Sequence, residues 1–457
     1  MSQAATTLEP PASPGLPGEA ARIRGAWRAA RQHCIDDFRA HPGRLAQLLR
    51  GLCRGAEAAL REVWALARMP ETAALLAVGG FGRGELFPGS DIDVLVLLPD
   101  APDAAVQAAA ERFVAACWDA GLEIGPSVRT VQACVEESAD DLTVQTSLLE
   151  ARPLCGNAAL ARRLRSAWSV ELDPRAFFQA KLLEMRQRHA KFENTPYALE
   201  PNCKESPGGL RDLQILLWVA RAAGLGSNWS QLLRSGVLSR YEARKIQANE
   251  RVLKRIRAHL HLAAGRREDR LVFDLQTAVA ASLGLSPEPT KRAGEVLMQQ
   301  YYWAAKAVEQ LNQIVLLTIE GRLWPELAEQ TGRPITGIDG VVDGMFLDKD
   351  GRLEPADPSL YERDPPAILE TFVAFTLAPG IRGLTAPTLR ALYHARESMN
   401  AGFRADPRSR AAFMRILRSP SGITHALRLM NRTSVLGRYL PAFRRIVGRM
   451  QHDLFHV

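Results

Sequence analysis

The feature that most constrains this chain is the run GGFGRGELFPGSDIDVLVLL, which begins at Gly79 and ends before Pro99. The preceding residues ALLAV form a short apolar run stopped by glycines, and IDVLVLL is a β-branched run ended by proline, so both read as strands. A glycine-rich loop joins them. Asp91 and Asp93 stand at i and i+2, a spacing that turns both carboxylates to one face of a strand while Ile92 and Val94 turn to the other. Two like charges side by side repel and raise one pKa unless a cation lies between them. Hard oxygen ligands on one face suit Mg²⁺, and two such ions about 4 Å apart can hold the attacking and leaving oxygens of a phosphoryl displacement. Residues without a β-carbon, such as Gly79 and Gly80, let backbone N–H groups approach a phosphate chain, and Arg83 can add a bidentate charge to it. The alternative is a glycine turn before a strand that carries two solvated carboxylates. No Gly-Lys-Ser/Thr follows, so this is not a Walker loop, and no helix opens at the last glycine as a dinucleotide fingerprint requires.

The rest of the chain frames this segment. A length of 457 residues suggests two or three packed units. Residues 1–20 read as a disordered Pro/Gly/Ala-rich tail without signal-peptide character, 21–70 as a helical lead-in, and 71–157 as the domain that holds the loop. Within that domain, Ala104 to Ala120 has helical periodicity, LEIGPSVRT reads as a strand, and Asp140 to Glu150 reads as a helix leading into a strand at Arg152 to Cys155. Residues 158–330 are nearly all helical, with helices expected from Pro174 to Lys191, Gly208 to Ala223 and Tyr241 to Ala264. Residues 331–365, rich in Gly, Asp and Pro, read as a loop-rich linker or insertion, and 366–457 as a further helical segment. The fold class expected is α+β, a small mixed sheet followed by a mainly α-helical region. No uncharged apolar run is long enough for a membrane span, and six cysteines without a C-x-x-C pair fit a reduced, cytoplasmic protein. His259 and His261 read as surface or packing residues rather than ligands.

Charge separates the function classes. The formal net charge is +8, but residues 381–457 hold fourteen Arg, no Lys and three acids, which leaves residues 1–380 near −3. A nucleic-acid partner is not expected, because the catalytic loop lies in the near-neutral part. An acidic partner, a neighbouring domain or a phosphate-rich ligand could answer the C-terminal arginines.

The loop, its Ser-Asp-x-Asp and the texts LEIGPSVRT, DLTVQTSLLEARPLCG, NCKESPGGLRDLQ and MNRTSVLGRYLPAFRRIVGRMQHDLFHV together resemble the amino-terminal half of the bacterial PII uridylyltransferases. Their catalytic domain has the polymerase β-like nucleotidyltransferase fold. The resemblance implies transfer of UMP from UTP to a tyrosine of the PII signalling protein, with release of diphosphate and with Mg²⁺ or Mn²⁺ as cofactor. It implies Asp91, Asp93 and a third carboxylate, best matched by Glu123, as catalytic metal ligands, with Gly79, Gly80, Arg83 and Ser90 orienting the phosphates. Its second signature matches Lys204 to Asp212 at a helix start, where Lys204 and Arg211 would add positive charge to an anion site; the alternative is a helix cap with Asp212 against the dipole. Complete members continue into an HD hydrolase and two ACT domains, which are expected to be missing here. The terminal His452-Asp453 pair alone cannot build a hydrolase metal site. A related adenylyltransferase using ATP, a non-catalytic nucleotide- or PII-binding scaffold and an RNA-tailing enzyme are the competing readings.

Overall fold

A computed structural model describes residues 17–289, 291–328 and 331–446. The expected tail falls largely outside these residues, as do His452, Asp453 and the closing MQHDLFHV. The fold is α+β, and its described residues form two compact units: one runs up to Glu184 and includes Lys254–Gly284, and the other holds Met185–Leu253 and the chain from Leu285 onward.

In the first unit, the helices Pro17–Ala40 and Leu45–Leu66 pack together across the short His41-Pro42-Gly43 connection. The second of them buries Leu45, Leu48, Leu49, Leu52, Ala56, Ala59, Leu60 and Val63, the spacing of a single apolar helix face. Next come four strands, β1 (Ala74–Ala77), β2 (Ile92–Leu98), β3 (Ile124–Thr130) and β4 (Arg152–Gly156), in the sheet order β3-β2-β1-β4. β1 is antiparallel to both β2 and β4, while β2 and β3 are parallel. A parallel pair needs a crossover, supplied here by the helix Ala104–Asp119, whose N-cap Asp103 accepts from Val106 N–H at 2.8 Å. β2 is buried at every position except the half-buried Asp93, as a central strand covered on both faces must be. The helix Leu142–Glu150 leads into β4, as its sequence suggests.

The second unit is built on the 31-residue helix Ala293–Leu323, which buries Leu297, Met298, Tyr301, Tyr302, Ala305, Val308 and Leu311 and packs against the helix Leu210–Ala222. A second sheet, in the order β5-β6-β7-β8, joins β5 (Arg333–Pro334), β6 (Phe346–Lys349), β7 (Arg352–Pro355) and β8 (Gly383–Leu384). Residues 331–365, expected as a loop-rich linker or insertion, hold three of these strands, which the sequence reading did not assign. Asp350 and Gly351 both take positive φ, 53° and 76°, and close a tight hairpin between β6 and β7. The Asp-Gly dipeptide that signals this turn is masked by the many other glycines and acids around it. Several C-terminal arginines find their counter-charges within this unit: Arg390 pairs with the buried Glu242, Arg408 with Asp364 and Glu370, Arg415 with Asp339, and Arg438 with Glu397. Among the described residues no helix is long and apolar enough to cross a membrane.

Candidate active site

β1 ends at Ala77, with only Val78 before Gly79, and Asp91 and Asp93 stand at the start of its neighbour β2. The loop after β1 is not irregular throughout: Gly79–Gly82 forms one helical turn, entered with Gly79 at φ +58°. Gly82 is glycine for packing reasons, since a β-carbon there would stand 2.3 Å from the Glu150 carbonyl oxygen. Ser90 closes the following turn by donating its N–H to the Phe87 carbonyl at 3.0 Å.

Asp91 immediately precedes β2 and Asp93 lies within it. The Asp93 carboxylate sits between two glycines: a β-carbon at Gly79 would stand 2.7 Å from Oδ2, and one at Gly125 would stand 2.7 Å from Oδ1. Parallel register pairs Asp93 with Gly125 and Ile92 with Ile124, so the exposed Glu123 falls beside Asp91, and its carbonyl accepts the Ile92 N–H at 2.9 Å. All three acids thus lie at the same end of the parallel pair β2–β3. Among the described residues, however, no three His, Cys, Asp or Glu side chains converge into a ready cation cage. The donor set itself is all carboxylate oxygen, and the glycines keep space around Asp93, which is chemistry that fits a hard divalent cation.

Asp91 instead meets Arg267, whose Nη1 lies 2.5 Å from its Oδ2. This contact belongs to a brace that the sequence reading missed. Lys254 pairs with Glu85, the Arg257 guanidinium lies 4.2 Å over the Phe87 ring, and Gly89 N–H donates to His261 Nδ1 at 3.1 Å. With Nδ1 accepting, His261 donates from Nε2 to Asp269, which Arg257 also engages at 2.5 Å. His261 and His259 are buried rather than on the surface. Burial lowers the His261 pKa, and Asp269 only partly offsets it. Burial opposes ionisation of Glu85, but Lys254 and Arg83 outweigh it and hold the carboxyl below its usual range. Arg83, expected at the phosphates, directs its guanidinium to the buried Glu150 and to Glu85. Only the spacing of Lys254, Arg257 and His261 along one helix face hinted at this brace.

The second signature lies in the other unit. Asn202 Oδ1 accepts from the N–H groups of Lys204 and Glu205 at 3.0 and 2.8 Å, which folds the loop before the helix Leu210–Ala222. Glu205 draws in both basic residues, Lys204 at 3.5 Å and Arg211 at 3.1 Å, while Arg211 also lies over the Trp218 ring. Gly208, at φ +75°, presses its backbone on Ala305: a β-carbon there would stand 2.1 Å from the Ala305 carbonyl oxygen. Asp212 is wholly buried and accepts from Gly208 N–H at 2.7 Å, from His189 Nε2 at 2.9 Å and from Arg188. Burial works against its charge, but His189 and Arg188 keep the carboxyl below its usual range. Asp212 therefore ties down the loop before the helix through the Gly208 N–H, while no side chain caps the helix start itself, and it anchors two cationic side chains besides.

Three family models match the chain: the nucleotidyltransferase domain over residues 60–155, GlnD PII-uridylyltransferase over 176–316, and the uridylyltransferase GlnD third domain over 346–439. Among similar proteins, one from Cupriavidus pinatubonensis is 57% identical over 96% of this chain and 49% of its own length. One from Ralstonia nicotianae is 55% identical over 95% and 49%, and one from Burkholderia mallei is 54% identical over 98% and 51%. Each bears the name bifunctional uridylyltransferase/uridylyl-removing enzyme. The chain spans about half the length of the curated relatives it matches. With a nucleotidyltransferase domain followed in order by both GlnD-specific domains, and with more than half of its residues shared along nearly its whole length, the chain belongs to the GlnD uridylyltransferase family.

Proposed function

We propose that this chain is a nucleotidyltransferase that moves UMP from UTP to a tyrosine of the PII protein and releases diphosphate. The observation that supports this reading is the Asp93 carboxylate held between Gly79 and Gly125, two residues beyond Asp91, in a chain whose relatives are named uridylyltransferases. In the proposed step the tyrosine oxygen forms a bond to the α-phosphorus while the bond from that phosphorus to the diphosphate oxygen breaks. The tyrosine proton needs an acceptor, because a phenol with a pKa near 10 stays protonated at neutral pH. Glu123, exposed at the same end of the β2–β3 pair, is our candidate for it. Asp91, Asp93 and Glu123 would hold Mg²⁺ or Mn²⁺, which when bound offsets charge on the triphosphate and on the leaving diphosphate. Gly79, Gly80 and Ser90 would orient the phosphates, and Arg83 would support them by locking the turn onto Glu150. Lys204 and Arg211 are proposed to contact nucleotide from the second signature. The free state of all six cysteines supports a cytoplasmic site of action.

The test is the intact mass of purified PII after incubation with this chain, Mg²⁺ or Mn²⁺, ATP and 2-oxoglutarate, with or without UTP. A UMP-sized gain that needs UTP and vanishes in Asp93→Asn supports reaction, substrate and site together. An AMP-sized gain would replace uridylylation with adenylylation on the same fold.

A further inference from the structure

Asp91 and Arg267 are 176 residues apart, yet their pairing is built into the first unit. Gly89 lies against the backbone of Arg266 and Arg267 so closely that a β-carbon on it would stand 2.6 Å from Arg267 N and 2.7 Å from the Arg266 carbonyl carbon. His261 ties the Gly89 N–H to Asp269, two residues beyond Arg267, and Arg257 donates to the same carboxylate. The base of Arg267 is therefore seated on the turn that precedes Asp91. The Arg267 and Asp91 side chains are each about half exposed, at 52% and 46%, so the pair can open without unpacking the core. A guanidinium does not lose its proton near neutral pH, so it leaves the carboxylate only by moving away.

A divalent cation at Asp91 and the Arg267 guanidinium would claim the same oxygens and repel each other. We propose that Arg267 is a built-in counter-ion for Asp91, which competes with the divalent cation for that carboxylate and so sets how much cation the site requires. This inference rests on the reading of Asp91 as a metal ligand. It assigns Arg267 a positioning role, exerted through Asp91. A half-exposed ion pair is worth little, so its removal is expected to tighten cation binding by only about two- to fivefold.

The test is a Mn²⁺ titration of the full chain without nucleotide, followed by electron paramagnetic resonance of the free ion. It compares the parent with Arg267→Gln, Arg266→Gln, Asp91→Asn and the double variant Asp91→Asn/Arg267→Gln. Arg266, 74% exposed and paired with Glu268, controls for the general loss of one positive charge. Tighter binding in Arg267→Gln, absent from Arg266→Gln and from the double variant, supports the proposal. Unchanged or weaker binding in Arg267→Gln, or an equal gain in Arg266→Gln, overturns it, while weaker binding in Asp91→Asn keeps the metal reading intact. If all five proteins bind Mn²⁺ alike, the metal reading falls and the proposal falls with it.

Discussion

Gly125 of β3 lies opposite Asp93 of β2, and a β-carbon on Gly125 would stand 2.7 Å from Asp93 Oδ1. The parallel register puts a residue without a side chain beside the carboxylate that the proposed reaction depends on. Asp93 is thus positioned as much by what its neighbours lack as by what they offer.

Adding one methyl group should therefore displace the carboxylate. Gly125→Ala is expected to lower transfer to PII by at least about tenfold, since sub-ångström misplacement of a reacting group is costly. Its melting temperature should fall by only a few degrees, because Gly125 is exposed and keeps a negative φ. Gly79→Ala should be worse on both counts, because it also strains a residue at φ +58°. Kinetics and thermal melts of the two variants check this, and parental activity in Gly125→Ala would show that Asp93 tolerates movement.

Asp212 should behave as a structural keystone. Asp212→Ala leaves the largely buried Arg188 and His189 without the carboxylate they share, and a broken buried ion pair costs roughly 3–5 kcal/mol. Urea unfolding of the variant is expected to show a loss in that range.

Lys204→Ala separates binding from folding. The Lys204 ammonium lies 3.5 Å from Glu205, and a urea midpoint measured beside the nucleotide titration separates a loss of binding from a loss of stability. The expected result is a UTP titration weakened several-fold, and an unchanged titration would confine Lys204 to the loop's own ion pairs.

His259 supplies a pH signature. Burial, with Arg255 nearby, lowers its pKa to about 4. Its Nδ1–H donates to Ser282 at 3.0 Å, and Nε2 is buried with no hydrogen-bond partner among the described residues. The unfolded state therefore takes up a proton near pH 6.5 that the folded state refuses. Stability from this group is complete above about pH 6.5, declines as the pH falls, and is lost by about pH 4, a difference on the order of 3 kcal/mol. Urea midpoints between pH 7 and 4.5 should fall less steeply for His259→Gln than for the parent.

Much of this architecture could be read locally. Helix start signals located the helices Pro174–Lys191 and Leu210–Ala222 to within two residues, and a β-branched run located β2. The pattern of glycines and acids singled out the Gly79 turn, Asp91 and Asp93. The β6–β7 hairpin was also locally encoded, in Asp350-Gly351, and was missed because its surroundings resemble a loop. The helical turn at Gly79–Gly82 was missed for a different reason: glycine has no strong preference that betrays it.

The sequence by itself determined most of the helices and the strand β2, and it singled out the residues we propose for phosphate chemistry, because those signals repeat within four residues or fewer. Only the tertiary structure decided that Arg83 turns to Glu150, that Arg267 takes Asp91, and that His261 holds Gly89. The last two partnerships cross 176 and 172 residues, distances over which no periodicity carries information. They arise because the packed core brings the end of the helix Arg240–Ala264 against the turn before β2. There, burial removes water as a competing partner, and each polar group must find its hydrogen bond or counter-charge within the protein.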